Sequence, residues 1–365
     1  MYVKKLQFKN YRNLVDGEIE PCEKINVIFG NNAQGKTNMI EALWLFCGGH
    51  SFKGSKENEF IKFGEKFSRI KAEFFSQNRE QEAEIIFNGG KKEVIINGVK
   101  KNSSASLIEK FNAVVFSPED LTLVKRGPSA RRRFLDSAIC REKLRNAVVL
   151  SKYNQTLNQR NALLKDIFRH PELKSTLSIW DETLCHLGAK IIFQRLSYIN
   201  KLQKDAEEYH FGISDNTEKL EVVYFSNCSA KYGDSEEVIF DKLFKSLKDS
   251  KKEDENSGFT NIGPHRDDFI IIINGKKAKI FASQGQQRSA VLSLKLAEAK
   301  VLSDLTEEKP VILLDDVLSE LDKKRREFLL NKISEYQVFI TTCEMSGEEV
   351  LKKGKTFYVE EGKIS

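Results

Sequence analysis

The 365-residue chain is 40% hydrophobic and 31% charged, and its 59 Lys and Arg stand against 53 Asp and Glu for a formal net charge of +6. With 25 Phe, nine Tyr and only six Pro, it carries too many core-forming side chains for a disordered or fibrous protein and is long enough for two domains. So small an excess of positive charge gives no global basic field, and any nucleic-acid surface has to come from local clustering.

Residues 2–10 alternate, with Val3, Leu6 and Phe8 on one side, and predict a short strand. This amino-terminal stretch is charged every few residues and has no apolar signal core, and no later stretch approaches the roughly 18 apolar residues of a membrane span, so a cytoplasmic protein is expected. Residues 25–29 (INVIF) form a compact apolar strand running into Gly30. Met39, Ile40, Leu43, Trp44 and Phe46 then follow at helical spacing, which makes a strand, a glycine turn and a helix. Between 67 and 117 lie several strand-like runs, around 70–75, 84–87 and 94–96, punctuated by Asn88-Gly89-Gly90 and Asn97-Gly98 and read as an antiparallel meander.

After Pro118 the periodicity changes. Residues 130–167 and 178–206 carry Leu, Ile, Val and Phe three and four apart, with Arg169-His170-Pro171 as the break, which predicts an antiparallel hairpin of two long helices. A strand at 220–225, a helix at 238–247 and a solvated loop at 248–258 (KDSKKEDENSG) open a second α/β unit. Buried-type strands at 269–273, 311–314 and 338–340, with helices at 289–303 and 323–334, predict a mostly parallel sheet. The expected fold class is α/β, divided as head (1–118), helical insertion (119–212) and head again (213–365). Six Cys stand far apart with no CxxC pair, which disfavours a zinc ribbon or a disulfide framework.

Gly30-Asn31-Asn32-Ala33-Gln34-Gly35-Lys36-Thr37 matches GxxxxGK[ST] after a strand and at the start of a helix, the context a P-loop requires. Its backbone N–H groups would wrap the phosphates of ATP, Lys36 would meet the outer phosphates and the Thr37 hydroxyl would ligate Mg2+, with Asn38 following on the same turn. Val311-Ile312-Leu313-Leu314-Asp315-Asp316 runs four apolar residues into two carboxylates, a Walker B pattern. Asp315 is expected to hold the metal, and Asp316 to orient or deprotonate the attacking water. Ser283-Gln284-Gly285-Gln286-Gln287 precedes a helix. Ser283, Gly285 and Gln286 there make either a second anion site or a plain helix cap. The densest basic run, 125–133, holds Lys125, Arg126, Arg131 and Arg132 and is either a phosphate-binding helix start or a solvated one. His265 reads as a ligand, a base or a packing residue.

The order P-loop, insertion, Ser-x-Gly-Gln-Gln, Walker B and Ser319-Glu320-Leu321-Asp322 resembles the ATP-binding-cassette superfamily and, within it, the SMC-like repair ATPases. Three further stretches are similar to the RecF family of bacterial recombination mediators: Phe8-Lys9-Asn10-Tyr11-Arg12-Asn13, Phe116-Ser117-Pro118-Glu119-Asp120-Leu121 and Gly263-Pro264-His265-Arg266-Asp267-Asp268. The resemblance implies a weak, DNA-stimulated ATPase that dimerises with ATP, two heads enclosing two nucleotides, on double-stranded DNA or gap junctions. It also implies work with RecR and RecO in loading RecA. By the same resemblance Arg12 and Asn13 would lie near the nucleotide, Ser319 and Asp322 would form a loop crossing the dimer, and Glu119 is a candidate for the Q-loop position. Two departures, Asp316 in place of the usual glutamate and Thr341-Thr342-Cys343 without a switch histidine, imply slow turnover. A long SMC coiled coil does not fit the short insertion. A small-molecule kinase is disfavoured by the serine-glycine element, and a transporter subunit by the missing histidine.

Overall fold

Short alternating strands in the first third of the chain build an antiparallel sheet, and the continuous apolar runs build a second, mostly parallel one. The computed structural model describes residues 1–167, 169–343 and 354–365. Tyr2–Lys9 (β1) and Gly17–Ile19 (β2) are followed by Ile25–Phe29 (β3) and the helix Lys36–Leu45 (α1). Phe67–Ser76 (β4), Arg79–Asn88 (β5), Lys91–Ile96 (β6) and Val99–Lys101 (β7) complete an antiparallel sheet of order β2-β1-β4-β5-β6-β7. Ala113–Phe116 (β8) leaves that meander. It pairs in parallel with Val311–Asp315 (β12), Ala113 opposite Val311, at the edge of a sheet of order β15-β14-β3-β13-β12-β8. All four β8 residues are buried, which suits a strand covered on both faces and not a half-solvated meander.

The helix α1 is apolar nearly all round, with Met39, Ile40, Ala42, Leu43, Trp44 and Leu45 all buried, so it sits inside the fold. One apolar cluster surrounds it, joining Leu6, Phe8, Ile70, Phe74 and Phe87 of the antiparallel sheet to Ile28, Val311, Leu313 and Phe339 of the parallel one. The parallel sheet takes its remaining strands from Val338–Thr342 (β13), Lys355–Glu360 (β14) and the antiparallel edge Lys363–Ile364 (β15).

The chain divides into two compact units: Met1–Thr122 with Gly212–Asn216 and Val291–Ser365, and Leu123–Phe211 with Thr217–Ala290. The second unit therefore holds more than the helices expected at 119–212, because the segment 217–290, expected in the head, groups with them. Its first helices are Pro128–Glu142 (α2), Leu144–Ile167 (α3) and Leu177–Ile213 (α4), the last ending in the first unit. The single helix expected over 130–167 is interrupted at Lys143, whose backbone is extended (φ −152, ψ 137). Asn146 meets Gln194 and Arg160 meets Asp181, in opposite order along α3 and α4, so these two form the antiparallel hairpin. At about 1.5 Å per residue, the 37 residues of α4 span about 55 Å.

Leu220–Phe225 (β9) is followed by Glu236–Asp249 (α5) and Lys251–Ser257 (α6). The strand expected at 269–273, Asp268–Ile273 (β10), pairs not with the P-loop sheet but with β9 and Lys276–Lys277 (β11) in a separate antiparallel sheet. The exposed edge of β9 is closed by Gln203, which accepts from Val222 N (2.7 Å) and donates to Leu220 O (2.9 Å). Gly188, the glycine inside α4, lies where a Cβ would come within 2.8 Å of Leu243 on α5. Residues 248–258 are not a loop: Asp254 of α6 is fully buried and pairs with Arg160 (2.8 Å), so the charged run folds inward around one ion pair. Ala278–Phe281 (α7), Gln284–Thr306 (α8) and Lys323–Lys332 (α9) complete the helices described.

Candidate nucleotide-binding site

The turn between β3 and α1 takes its shape from residues that adopt left-handed backbone: Ala33 (φ 64) and Gly35 (φ 115), the latter preceding the first helical residue. A Cβ on Gly35 would come within 2.7 Å of Leu14, so the loop also needs glycine there for space. Lys36 is buried. Its ammonium donates to Gly30 O (2.7 Å) and Asn31 O (2.8 Å), which curls the loop back over the helix start. Asn13 buttresses the same loop, donating to Ala33 O (3.3 Å) and accepting from Asn38 (2.7 Å). Gln34 accepts from the backbone N–H of Glu361 (2.5 Å), and Asn32 accepts from the Cys343 thiol (2.8 Å).

Parallel pairing of β12 between β13 and β8 brings the acidic strand end to the P-loop. Thr37 Oγ1 donates to Asp315 Oδ1 (2.8 Å), and Thr341 Oγ1 lies 3.1 Å from the same oxygen. The pair Thr37 and Asp315 offers two hard oxygens, a donor set that fits magnesium. Among the described residues no group of three or more His, Cys, Asp and Glu could hold a metal, so the remaining positions would fall to phosphate and water. Such an ion would neutralise charge on the phosphates.

Asp316 sits next in line with a left-handed backbone (φ 54). Its N–H is tied to Thr341 Oγ1 (2.9 Å) and its carbonyl accepts from Ser319 (2.8 Å). Partial burial raises its carboxyl above the ordinary aspartate value, with Lys36 opposing that rise and Asp315 adding to it. A carboxylate of raised proton affinity beside a phosphate site is suited to accept a proton from water. Arg12 reaches α1 instead of the loop, pairing with the buried Glu41 (2.5 Å) and donating to Ser55 (2.8 Å). Asp322 caps α9 by accepting from Arg325 N (3.0 Å).

The second unit carries the serine-glycine element. Ser283 Oγ accepts from Gln286 N (3.2 Å) while Gln286 Oε1 accepts from Ser283 N (2.8 Å), a reciprocal capping box at the start of α8 enclosing Gly285. Gln286 also donates to Glu218 (2.7 Å), whose other oxygen meets the buried His210 of α4 (3.0 Å). The cap is thus tied to the end of the long helix. Glu218 and His210 carry no motif signal, because they meet only through the turn between α4 and β9.

The basic run is split. Arg131 is buried and doubly bound to Asp268 (2.7 Å to each oxygen), and Arg132 donates to Asp267 O (2.8 Å). That removes Arg131 from any phosphate-binding surface. Lys125 and Arg126 are exposed. The Gly263 to Asp268 stretch serves the same core: Pro264 O accepts from Arg195 (2.6 Å), and Asp267 accepts from Tyr224 (2.7 Å) and Asn227 N (2.9 Å). His265 bridges Tyr153 (2.7 Å) and Thr260 O (2.9 Å), with its pKa lowered by burial to about 4, so it is a packing residue.

Residues 2–364 match the family described as RecF/RecN/SMC N terminal domain. The chain is 42% identical over 342 residues to the DNA replication and repair protein RecF of Thermoanaerobacter sp. (strain X514), covering 93% of this chain and 94% of that one. It is 39% identical over 369 residues to the protein of the same name from Clostridium acetobutylicum, covering 100% and 99%. Among solved structures, the recombination mediator protein RecF-ATPrS of the RecFOR pathway superposes with a TM-score of 0.94 at 39% identity, over 100% of this chain and 97% of that one. The RecF-ATP structure superposes at 0.93, again at 39% identity and the same coverage. The Smc head domain from Pyrococcus furiosus, at a TM-score of 0.56 and 15% identity over 100% and 95% of the two chains, shares the fold. Motif order, P-loop geometry and these likenesses agree, and the chain belongs to the RecF family of SMC-like ATP-binding-cassette ATPases.

Proposed function

We propose that this protein is an ATP-controlled DNA-binding protein of replication and recombinational repair. ATP enters the P-loop, held by Lys36 with Thr37 and Asp315 on Mg2+, and two chains close on two nucleotides with Ser283 of each facing the nucleotide of the other. The dimer holds double-stranded DNA or a gap junction, and RecR, with RecO, uses it to load RecA. Hydrolysis is slow, promoted by DNA and assisted by Asp316 as base, and it acts as a release switch. The observation that carries the reading is the 2.8 Å contact of Thr37 with Asp315, which joins the P-loop and the acidic strand end in one oxygen-lined site. The RecF-ATP structure supports the choice of nucleotide.

The test is ATP turnover measured with and without duplex DNA. Turnover that is slow alone and rises with duplex supports the reading, and turnover indifferent to DNA contradicts it.

A further inference from the structure

Strand β13 reads Val-Phe-Ile-Thr-Thr, and all five residues are buried. Its apolar side chains suit a strand covered on both faces, but a hydroxyl in the same setting is unfavourable unless it finds partners. A valine would match the branching of Thr341, suit a strand at least as well and need no partner, so packing alone does not account for the hydroxyl.

The parallel register sets Thr341 opposite Asp315 of β12. Its Oγ1, on a side chain only 1% exposed, accepts from the Asp316 N–H (2.9 Å) and lies 3.1 Å from Asp315 Oδ1 and 3.5 Å from Leu314 O. A hydroxyl has one proton to give, and the carboxylate is the nearer and stronger acceptor. With that proton directed at Asp315, the lone pairs are left to the Asp316 N–H. One buried oxygen thus links the metal-side carboxylate to the backbone of the next residue.

That backbone needs holding. Asp316 is left-handed (φ 54), a conformation that side-chain-bearing residues rarely adopt and keep only where their surroundings enforce it. Ser319 grips its carbonyl (2.8 Å), but Ser319 is exposed and water competes for that bond. Thr341 is shielded from such competition. Asp315, for its part, also accepts from Thr37 (2.8 Å) and so keeps a donor when Thr341 is replaced.

We propose that Thr341 is a positioning residue for hydrolysis: its hydroxyl, oriented by Asp315, holds Asp316 in the backbone geometry from which that carboxylate acts. The inference rests on the reading of Asp316 as base and adds what keeps the base in place. A reacting group misplaced by about 1 Å can lose about 100-fold in rate. Lys36 and the loop it folds have no bond to Thr341, so nucleotide binding is spared.

The test is single-turnover hydrolysis of ATP by the full chain with Mg2+ and duplex DNA, read beside titration with labelled ATP. Thr341→Val and Thr341→Ala both lose the hydroxyl and are expected to bind ATP within about threefold of the wild type while hydrolysing it at least about tenfold more slowly. Thr341→Ser keeps the oxygen and should restore hydrolysis. In an Asp316→Asn background, Thr341→Val should slow the residual reaction by less than about threefold, because the group it positions has already lost its basicity. Variants without the hydroxyl that hydrolyse as the wild type does, or a serine variant as slow as the valine one, would overturn the proposal. So would a loss of ATP affinity as large as the loss of rate, or an undiminished effect in the Asp316→Asn background. Asp316→Asn protein that hydrolyses as fast as the wild type would instead overturn the reading of Asp316 beneath it.

Discussion

Under the proposed reading Lys36 and Asp316 each make a separate forecast. Lys36→Ala removes the buried ammonium that folds the loop onto Gly30 and Asn31 and that, under the proposed reading, would meet the outer phosphates, so ATP binding should be lost in a folded protein. Titration with labelled nucleotide checks this. Asp316→Asn keeps size and hydrogen bonding but removes basicity, so nucleotide should still bind while hydrolysis nearly stops; a loss under about threefold, less than 1 kcal/mol of barrier, would exclude Asp316 as base. Because its carboxyl is raised, wild-type turnover should fall on acidification at a higher pH than an ordinary aspartate would give. His265 supplies a stability forecast of known sign. With its folded pKa lowered from 6.5 to about 4, the unfolded chain binds the extra proton, so stability is full above pH 6.5 and declines as pH falls toward 4. Urea midpoints across that window should fall for the wild type more than for His265→Asn. The P-loop and the paired aspartates were legible in the sequence because each is contiguous. Thr341 and Glu41 were not, because they reach Asp315 and Arg12 only through sheet pairing and helix placement.

At the scale of elements, hydrophobic period located the longer strands and helices but not their partners, and it passed over the short strands β2, β7, β8, β11, β14 and β15. Residues 113–116, within the stretch expected to be an antiparallel meander, join the parallel sheet, and 269–273, expected in the parallel sheet, join an antiparallel one in the second unit, a choice made by long-range pairing. The run 248–258 looked solvated because its charges are dense. Burying Asp254 against Arg160 turns part of it into helix, and no local pattern announces a partner some ninety residues away. Asp254→Ala should therefore lower stability by about 3 kcal/mol, since Arg160 stays buried with Asp181 as its remaining carboxylate. Chemical denaturation measures that directly. Glu218→Ala frees Gln286 and with it the cap of α8. If the cap positions Ser283 for a second chain, this variant should bind ATP normally but assemble less with it, which light scattering reads.

For the whole molecule, the chain separates the P-loop and acidic strand end in one unit from Ser283 and its cap in the other. That separation was not legible in the sequence, where 213–365 reads as one part of the head; it arises because β9 and β10 pair with each other and not with the head sheet. A site completed by two chains and a helix cap serving only its own α8 make opposite forecasts for one substitution. Ser283→Arg leaves the P-loop untouched, so nucleotide should bind either way, and loss of the cap alone would cost about 1 kcal/mol of stability. The most direct measurement is molecular mass by light scattering during titration with labelled ATP, on wild type and Ser283→Arg together. Wild-type protein should reach twice 41.8 kDa with ATP, while the variant binds ATP and remains a single chain. A variant that binds ATP and still doubles its mass would contradict a nucleotide site shared between two heads.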